Sequence, residues 1–299
     1  MVEGAARVLA EAGVGSPRHD ATELAAHVLG VARLELAVPP PLPTDFAARY
    51  AEVVDRRRRR EPLQHIVGHQ GFRYLTLRVE PGVFVPRPET EVVAQAAIDE
   101  AARLVAAGGS PVVVDLCCGA GGIALAVATE VPRARVAAVD ASPAAVALTL
   151  RNGQASGAPG LRVEQGDVRD PGLLADLDGT VDVVVSNPPY IPPDAVPVDP
   201  EVRDHDPDLA LYGGGADGLD VPRAVLVAAG RLLVPGGLLV MEHAEVQDAA
   251  ARAAARDTGL FTDIGTRPDL TGRPRMLVAR RARTGTATVG QDGVGDSQP

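Results

Sequence analysis

The chain predicts an α/β fold, a mainly parallel Rossmann-like sheet preceded by a small helical domain and a β-hairpin. Three observations carry this. From about Arg87 to Arg281, short Val- and Leu-rich runs alternate with helix-spaced apolar stretches, as in a parallel sheet covered by helices. One run, Val112-Val113-Val114-Asp115-Leu116, leads directly into a glycine turn, Cys117-Cys118-Gly119-Ala120-Gly121-Gly122, and then into an apolar helix from Ile123. Another, Val181-Asp182-Val183-Val184-Val185, ends on Ser186-Asn187-Pro188-Pro189-Tyr190, where helix is forbidden.

Along the chain, residues 1–60 carry helix-spaced apolar pairs, Val8 with Leu9, Leu24 with Ala25, and Val28 with Leu29. Ser16-Pro17 and a Pro39-Pro40-Pro41 turn interrupt them, and the segment predicts a helical domain. Residues 61–86 predict a hairpin linker, with Tyr74, Leu77 and Val79 among the apolar positions and Pro81-Gly82 as a turn. Residues 87–281 hold the sheet. Arg135 to Val139 predicts a strand ending on Asp140, and Leu161 to Glu164 a short strand followed by Asp167-Val168. Leu260 to Ile264 and Met276 to Ala279 predict the last two strands. Residues 282–299, with few apolar side chains, predict a disordered tail.

The elbow after the Val181–Val185 run suits a planar amino group. Its acceptors are the Asn187 side-chain oxygen and the Pro188 carbonyl, and Tyr190 adds an aromatic face. Open α/β sheets bind ligands at such carboxyl ends. Three acids at successive strand ends, Asp115, Asp140 and Asp167, surround one glycine turn. An acid at the end of the second strand is placed to take both hydroxyls of a ribose. Asp167 is placed to accept from the exocyclic amine of an adenine. The turn's Asp-x-x-x-Gly-x-Gly spacing differs from the dinucleotide fingerprint.

Formal charge is −10, which argues against broad nucleic-acid binding. Arg56 to Arg60 is the exception. On a helix, five consecutive arginines point all round the axis, leaving either a solvated, partly paired helix end or a contact with an acidic partner protein or RNA. Aromatics are only 3% of the chain, so Val, Leu and Ala must fill the core. All 29 basic residues are Arg. No apolar run reaches membrane-span length, the amino-terminal residues are not expected to form a signal peptide, and two adjacent cysteines imply no disulfide framework. The six His show no metal-ligand spacing, so no metal is expected. Together these features fit a cytoplasmic enzyme without membrane contact.

From about Val8 to Val278 the chain resembles the class I S-adenosylmethionine-dependent methyltransferases. Within them it is similar to the protein-(glutamine-N(5)) methyltransferases that act on peptide-chain release factors. The motifs are Ser16-Pro17-Arg18-His19-Asp20-Ala21 with Leu24 to Gly30, Glu61-Pro62-Leu63-Gln64-His65-Ile66-Val67-Gly68, and Phe84-Val85-Pro86-Arg87-Pro88-Glu89-Thr90-Glu91. After the elbow come Glu201-Val202-Arg203, Asp206-Pro207, Gly213-Gly214 and Asp217-Gly218-Leu219-Asp220. Where the family turn reads Asp-Leu-Gly-Thr-Gly-Ser-Gly, this chain has Cys117 and Cys118 after Asp115-Leu116. A family tyrosine is His205, with Asp206 for the following Glu, and a Glu-x-Gly-x-x-Gln segment reads Glu242-His243-Ala244-Glu245-Val246-Gln247.

The resemblance implies a class I sheet closed by an antiparallel strand. It implies S-adenosylmethionine as cofactor and S-adenosylhomocysteine as product. The cofactor would be held by Asp115, Cys117, Cys118, Gly119, Ala120, Gly121, Asp140, Asp167, Val168 and Asn187. A release-factor glutamine, in a Gly-Gly-Gln loop, would meet Asn187, Pro188, Pro189 and Tyr190, with Arg87 and Glu89 to Glu91 shaping the rim. Asn187, Pro188 and Tyr190 would then be the catalytic set. The helical domain would dock the protein substrate, since one glutamine offers little surface. Alternatives are a base-amine methyltransferase of DNA or rRNA, a non-catalytic adaptor of a translation factor, and a nucleotide-cofactor dehydrogenase.

Overall fold

The computed structural model describes residues 1–35 and 40–283; the predicted tail, from residue 284, and Pro39 of the proline turn lie outside the described residues. The helical part comprises α1 (Val2–Glu11), α2 (Pro17–Leu29), α3 (Phe46–Arg58) and α4 (Leu63–Val67). Leu9, Leu24, Phe46 and Tyr50 meet in its core, where the Tyr50 hydroxyl donates to the Ala21 carbonyl at 2.8 Å. Residues 63–67 differ from the expected hairpin. Leu63 and Ile66, three apart, face the helical core, Pro62 stands before the first turn, and Gly68 closes the helix at φ +80°.

The hairpin is shorter than expected: β1 (His69–Phe72) and β2 (Leu75–Arg78), in antiparallel register from His69–Arg78 to Phe72–Leu75. Its turn is Arg73-Tyr74. Tyr74 is therefore 86% exposed and not part of the apolar face. Pro81-Gly82 turns the chain only after the hairpin. Arg73 forks onto Glu130 at 2.6 and 2.7 Å, fastening the hairpin to the sheet domain.

The remaining elements run α5 (Thr90–Ala106), β3 (Val112–Leu116), α6 (Gly122–Glu130), β4 (Arg135–Asp140), α7 (Pro143–Ala155), β5 (Arg162–Gln165), β6 (Val181–Ser186), α8 (Pro200–His205), α9 (Asp208–Leu211), α10 (Asp220–Leu232), β7 (Leu233–Glu242), α11 (Asp248–Asp257), β8 (Phe261–Pro268) and β9 (Pro274–Arg281). The sheet order is β5-β4-β3-β6-β7-β9-β8. The first five strands are parallel, and β9 lies antiparallel between β7 and β8. The last pair runs several residues further than the apolar runs alone suggested. Both faces are covered. Val113, Val183, Val185 and Val240 pack with α5 and α6, and Val114, Val184, Leu239 and Met241 with α10. That double burial explains the unbroken valine runs. No helix among the described residues is long and apolar enough to cross a membrane.

The arginine run is spent within the molecule. Arg56 forks onto Glu61, Arg58 and Arg59 pair with Asp55, and Arg57 and Arg60 both reach Glu201 on α8. Arg57 is buried and also holds Asp20 at 2.7 Å. Arg58 and Arg59 share the one Asp55 carboxylate and stay more than half exposed, while Arg57 and Arg60 bolt the helical part to the segment that follows the elbow.

Candidate active site

A cavity of about 480 Å³ opens at the carboxyl ends of β3, β4 and β6, within the range of small-ligand pockets. The glycine turn, Asp140, the 166–169 loop, the elbow, the 82–90 segment and residues 207–214 all contribute to its lining.

Within the turn, the structure separates residues that the sequence grouped. Cys117, Cys118, Gly119 and Ala120 line the cavity; Asp115 and Gly121 do not. Asp115 is fully buried beneath the turn. Its Oδ2 accepts from the Ala124 N–H at 3.0 Å, fixing the first turn of α6, and its Oδ1 has no partner. Burial pushes this carboxyl up to about 8. A side chain at Gly121 would meet Thr149 at 2.8 Å, so this glycine serves packing against α7 rather than ligand approach. At Gly119, by contrast, φ is +57° and nothing lies within 4 Å of where a Cβ would be, leaving a cradle. Asn152 anchors the turn by donating to the Ala120 carbonyl at 2.9 Å while accepting from the Arg78 N–H of the hairpin. Sequence reasoning missed that residue, and no local spacing marks it.

Asp140 ends β4 at the cavity wall. Its oxygens accept from Gly119 N–H and Ser142 N–H, both at 2.8 Å. Burial raises its pKa against these hydrogen bonds. Each carboxylate oxygen keeps a further acceptor site, so a diol remains a fitting ligand. Asp167 lines the cavity beside Val168, and Arg169 forks onto its carboxylate, with Nη2–Oδ2 at 2.6 Å. That hydrogen bond lowers its pKa. An adenine amine would therefore share Asp167 with Arg169.

At the elbow, Ser186 donates to the Leu116 carbonyl at 2.7 Å, tying β6 to β3. Asn187, Pro188, Pro189 and Tyr190 all line the cavity. Asn187 Nδ2 donates to Thr90 Oγ1 at 3.2 Å. Tyr190 offers more than a flat face. Its hydroxyl reaches Glu242 Oε1 at 3.3 Å, and its carbonyl accepts from Gln247 Nε2 at 2.8 Å. Glu242, 3% exposed at the end of β7, is pushed by burial up to about 7. Gln247 also donates to the Asp217 carbonyl at 2.9 Å. A side chain at Gly213 would run into the Pro189 carbonyl at 2.6 Å, so the glycine-rich loop can lie against the elbow. Arg87 borders the cavity, but it pairs with Asp206 at 2.5 Å and lies over the Phe84 ring, so its guanidinium is partly committed. The structural roles of Thr90, Glu242 and Gln247 were not read from sequence. A carboxylate at the end of the apolar run Leu238–Met241 was the signal for one of them.

The helices preceding the hairpin match a family model described as PrmC N-terminal domain over residues 1–68, and the glycine turn and elbow fall in a match to the Methyltransferase small domain over residues 79–198. The Release factor glutamine methyltransferase of Streptomyces coelicolor is 51% identical over 282 residues, covering 94% of this chain and 97% of its own. The Mycobacterium tuberculosis H37Rv protein of that name is 44% identical over 284 residues, covering 94% and 90%. A Streptomyces pristinaespiralis 4-amino-L-phenylalanine/4-methylamino-L-phenylalanine methyltransferase is 44% identical over 254 residues, 84% of each chain. A parallel sheet closed by an antiparallel last pair, carrying this glycine turn and elbow, is the class I methyltransferase arrangement. With identity sustained over nearly the whole length of its relatives, the chain belongs to the release factor glutamine methyltransferase family.

Proposed function

We propose that the protein transfers a methyl group from S-adenosylmethionine to the side-chain amide nitrogen of a glutamine in the Gly-Gly-Gln loop of a peptide-chain release factor. The observation that carries this is the meeting, in one cavity, of an Asn187-Pro188 acceptor pair with the Gly119 cradle and Asp140. The cofactor fits what is there. Asp140 retains acceptor capacity for a ribose diol, Asp167 and Val168 border the place for an adenine, and the turn from Cys117 to Ala120 lets backbone approach. When bound, S-adenosylmethionine supplies an electrophilic methyl on a sulfonium.

An amide nitrogen is a weak nucleophile because its lone pair is delocalised. Asn187 Oδ1 and the Pro188 carbonyl would accept its two hydrogens, direct the nitrogen and stabilise the positive charge that develops on it as the nitrogen–methyl bond forms and the methyl–sulfur bond breaks; one of the two hydrogens then leaves the nitrogen as a proton to water, giving the neutral N-methyl amide and S-adenosylhomocysteine. Tyr190 would cover the amide plane, and Arg87 would shape the rim. The helical domain, residues 1–60, would dock the body of the substrate protein. An aromatic amine also presents –NH2 on a flat face, so the elbow alone does not choose the substrate; the full-length likeness to release factor enzymes supports the glutamine reading.

The test is incubation of the protein with isotope-labelled S-adenosylmethionine and an unmethylated release factor, with mass spectrometry of the product. One labelled methyl on the loop glutamine is expected. Label elsewhere in the factor, or label only on a free aromatic amine supplied in parallel, would overturn the reading.

A further inference from the structure

The elbow and the glycine-rich loop meet along a seam of main-chain contacts. The Ile191 N–H donates to the Leu211 carbonyl at 2.8 Å, and the Gly213 N–H donates to the Ile191 carbonyl at 3.0 Å, with Ile191 and Tyr212 forming a parallel bridge. A side chain at Gly218, where φ is +76°, would run into the Tyr190 carbonyl and the Pro192 nitrogen. Tyr190 and Ile191 on one side of the seam, and Leu211 to Gly214 on the other, all line the cavity. The spacing of the seam is therefore a dimension of the cavity.

One side chain that does not line the cavity spans this seam. Gln247 stands just before α11 and is 6% exposed. Its Nε2 donates to the Tyr190 carbonyl at 2.8 Å and to the Asp217 carbonyl at 2.9 Å, while its Oε1 accepts from the Ala244 N–H at 3.1 Å. Turned over, the amide would set its oxygen against two carbonyls and its nitrogen against an N–H, so its surroundings admit one orientation. Both hydrogens of one nitrogen are thus used to draw two main-chain carbonyls together. Without that nitrogen the two carbonyls lose their shared donor, and an acceptor left without a partner favours moving apart or taking up water. The Tyr190 carbonyl belongs to the residue whose ring would cover the substrate amide, two positions after the Pro188 acceptor. A shift there moves both groups.

We infer that Gln247 is a positioning residue: from outside the cavity, and without touching substrate, it sets the distance between the elbow and the glycine-rich wall. The inference rests on the proposed glutamine reading for its effect on rate, but not for the spacing itself.

The test uses Gln247→Met, which keeps the length but loses both donors, and Gln247→Glu, which at neutral pH loses the donors but keeps the acceptor for Ala244. NMR amide exchange of the ligand-free protein should show the Ile191 and Gly213 N–H groups released at least tenfold in both variants, with Leu239 and Val240 in the sheet as protected as in wild type. In single-turnover methylation of an unmethylated release factor at saturation, both variants should lose roughly 10- to 100-fold, the scale of a displacement of about 1 Å at the reacting groups. KM for the factor and calorimetric affinity for S-adenosylmethionine should stay within about twofold. Gly218→Ala, which forces the same seam apart with Gln247 intact, should reproduce the loss of rate. The inference is overturned if folded Gln247→Met exchanges and turns over like wild type, if Gly218→Ala keeps the wild-type rate, or if the loss lies in cofactor affinity. Exchange that rises equally throughout the sheet also overturns it, since Gln247 would then serve only the fold. A wild type that methylates no release factor refutes the glutamine reading instead, and amide exchange then decides the spacing alone.

Discussion

Replacing Arg57 by alanine should cost the fold several kcal/mol, and the reason can be worked atom by atom. Arg57 Nε holds Asp20 at 2.7 Å, and Nη1 holds Glu201 at 2.7 Å and the Glu61 carbonyl at 3.1 Å. The Arg57, Asp20 and Glu201 side chains are only 8%, 7% and 15% exposed. In Arg57→Ala, Glu201 keeps Arg60, but Asp20 is left as a buried charge without its partner. Removing one member of a buried pair costs about 3–5 kcal/mol, whereas replacing both by apolar groups of similar volume is often neutral. Urea unfolding near neutral pH, followed by circular dichroism, should show that loss for Arg57→Ala and recover most of it in Arg57→Met with Asp20→Leu.

Acid provides a second reading of the same cluster. Burial raises the Glu201 carboxyl, but hydrogen bonds from Arg60 and Arg57 outweigh it and hold it at about 2, below its ordinary 4.5. That difference corresponds to about 3 kcal/mol, present above pH 4.5 and lost as pH falls through 2. The variant, with Arg60 alone, should lose less over that range. A loss under about 1 kcal/mol at neutral pH would show that the cluster does not carry the charge balance described.

Other outcomes follow from the site. Asn187→Ala should lower methylation by roughly a hundred- to a thousandfold, the cost of one preorganised group, with cofactor affinity nearly unchanged; a normal rate would remove the elbow from catalysis. Asp140→Ala should weaken S-adenosylmethionine binding about tenfold or more by calorimetry, from charge-assisted hydrogen bonds of roughly 1.5–3 kcal/mol. It should also lower the melting temperature, because Asp140 holds Gly119 and Ser142. Asp115 and Glu242, raised by burial to about 8 and about 7, keep protons that the unfolded chain releases. Their contribution is complete below the unfolded carboxyl range and lost as pH rises through 7 and 8. His27, His65 and His243, lowered by burial, act in the opposite sense below their ordinary 6.5, so stability of the ligand-free protein should fall from about pH 6.5 to pH 8, by up to about 1.4 kcal/mol per pH unit for each proton; a flat urea-midpoint profile over that range would contradict this.

How much was legible depended on whether the determinant was local. β3 and β6 are buried on both faces, so their valine runs identify them, and the proline elbow follows from backbone rules alone. α4 was read as strand because five residues give a single i, i+3 apolar pair, Leu63 and Ile66, too little to separate one period from the other. Asp115 and Gly121 match a ligand turn in spacing, yet spacing does not say which face of the turn a residue takes; the structure turns both towards α6 and α7. The arginine run displays its charge in sequence but not its partners, since Glu201 lies 144 residues from Arg57. Likewise Thr90 and Asn187, 97 residues apart, meet only in the folded chain.

The turn beside the cradle also bears on chemical selectivity. Cys117 takes φ +63° where the resembling family has glycine, and its residue lines the cavity together with Cys118. A thiolate there would be a far better nucleophile than any amide. Burial raises both thiols well above their ordinary range, and the Asp140 carboxylate nearby raises them further. Each thiol thus stays protonated and unreactive. Burial at the pocket wall, with Asp140 beside it, keeps the site's own sulfur from competing for the alkyl group it is proposed to handle, so two cysteines can sit next to an electrophile without becoming its acceptor.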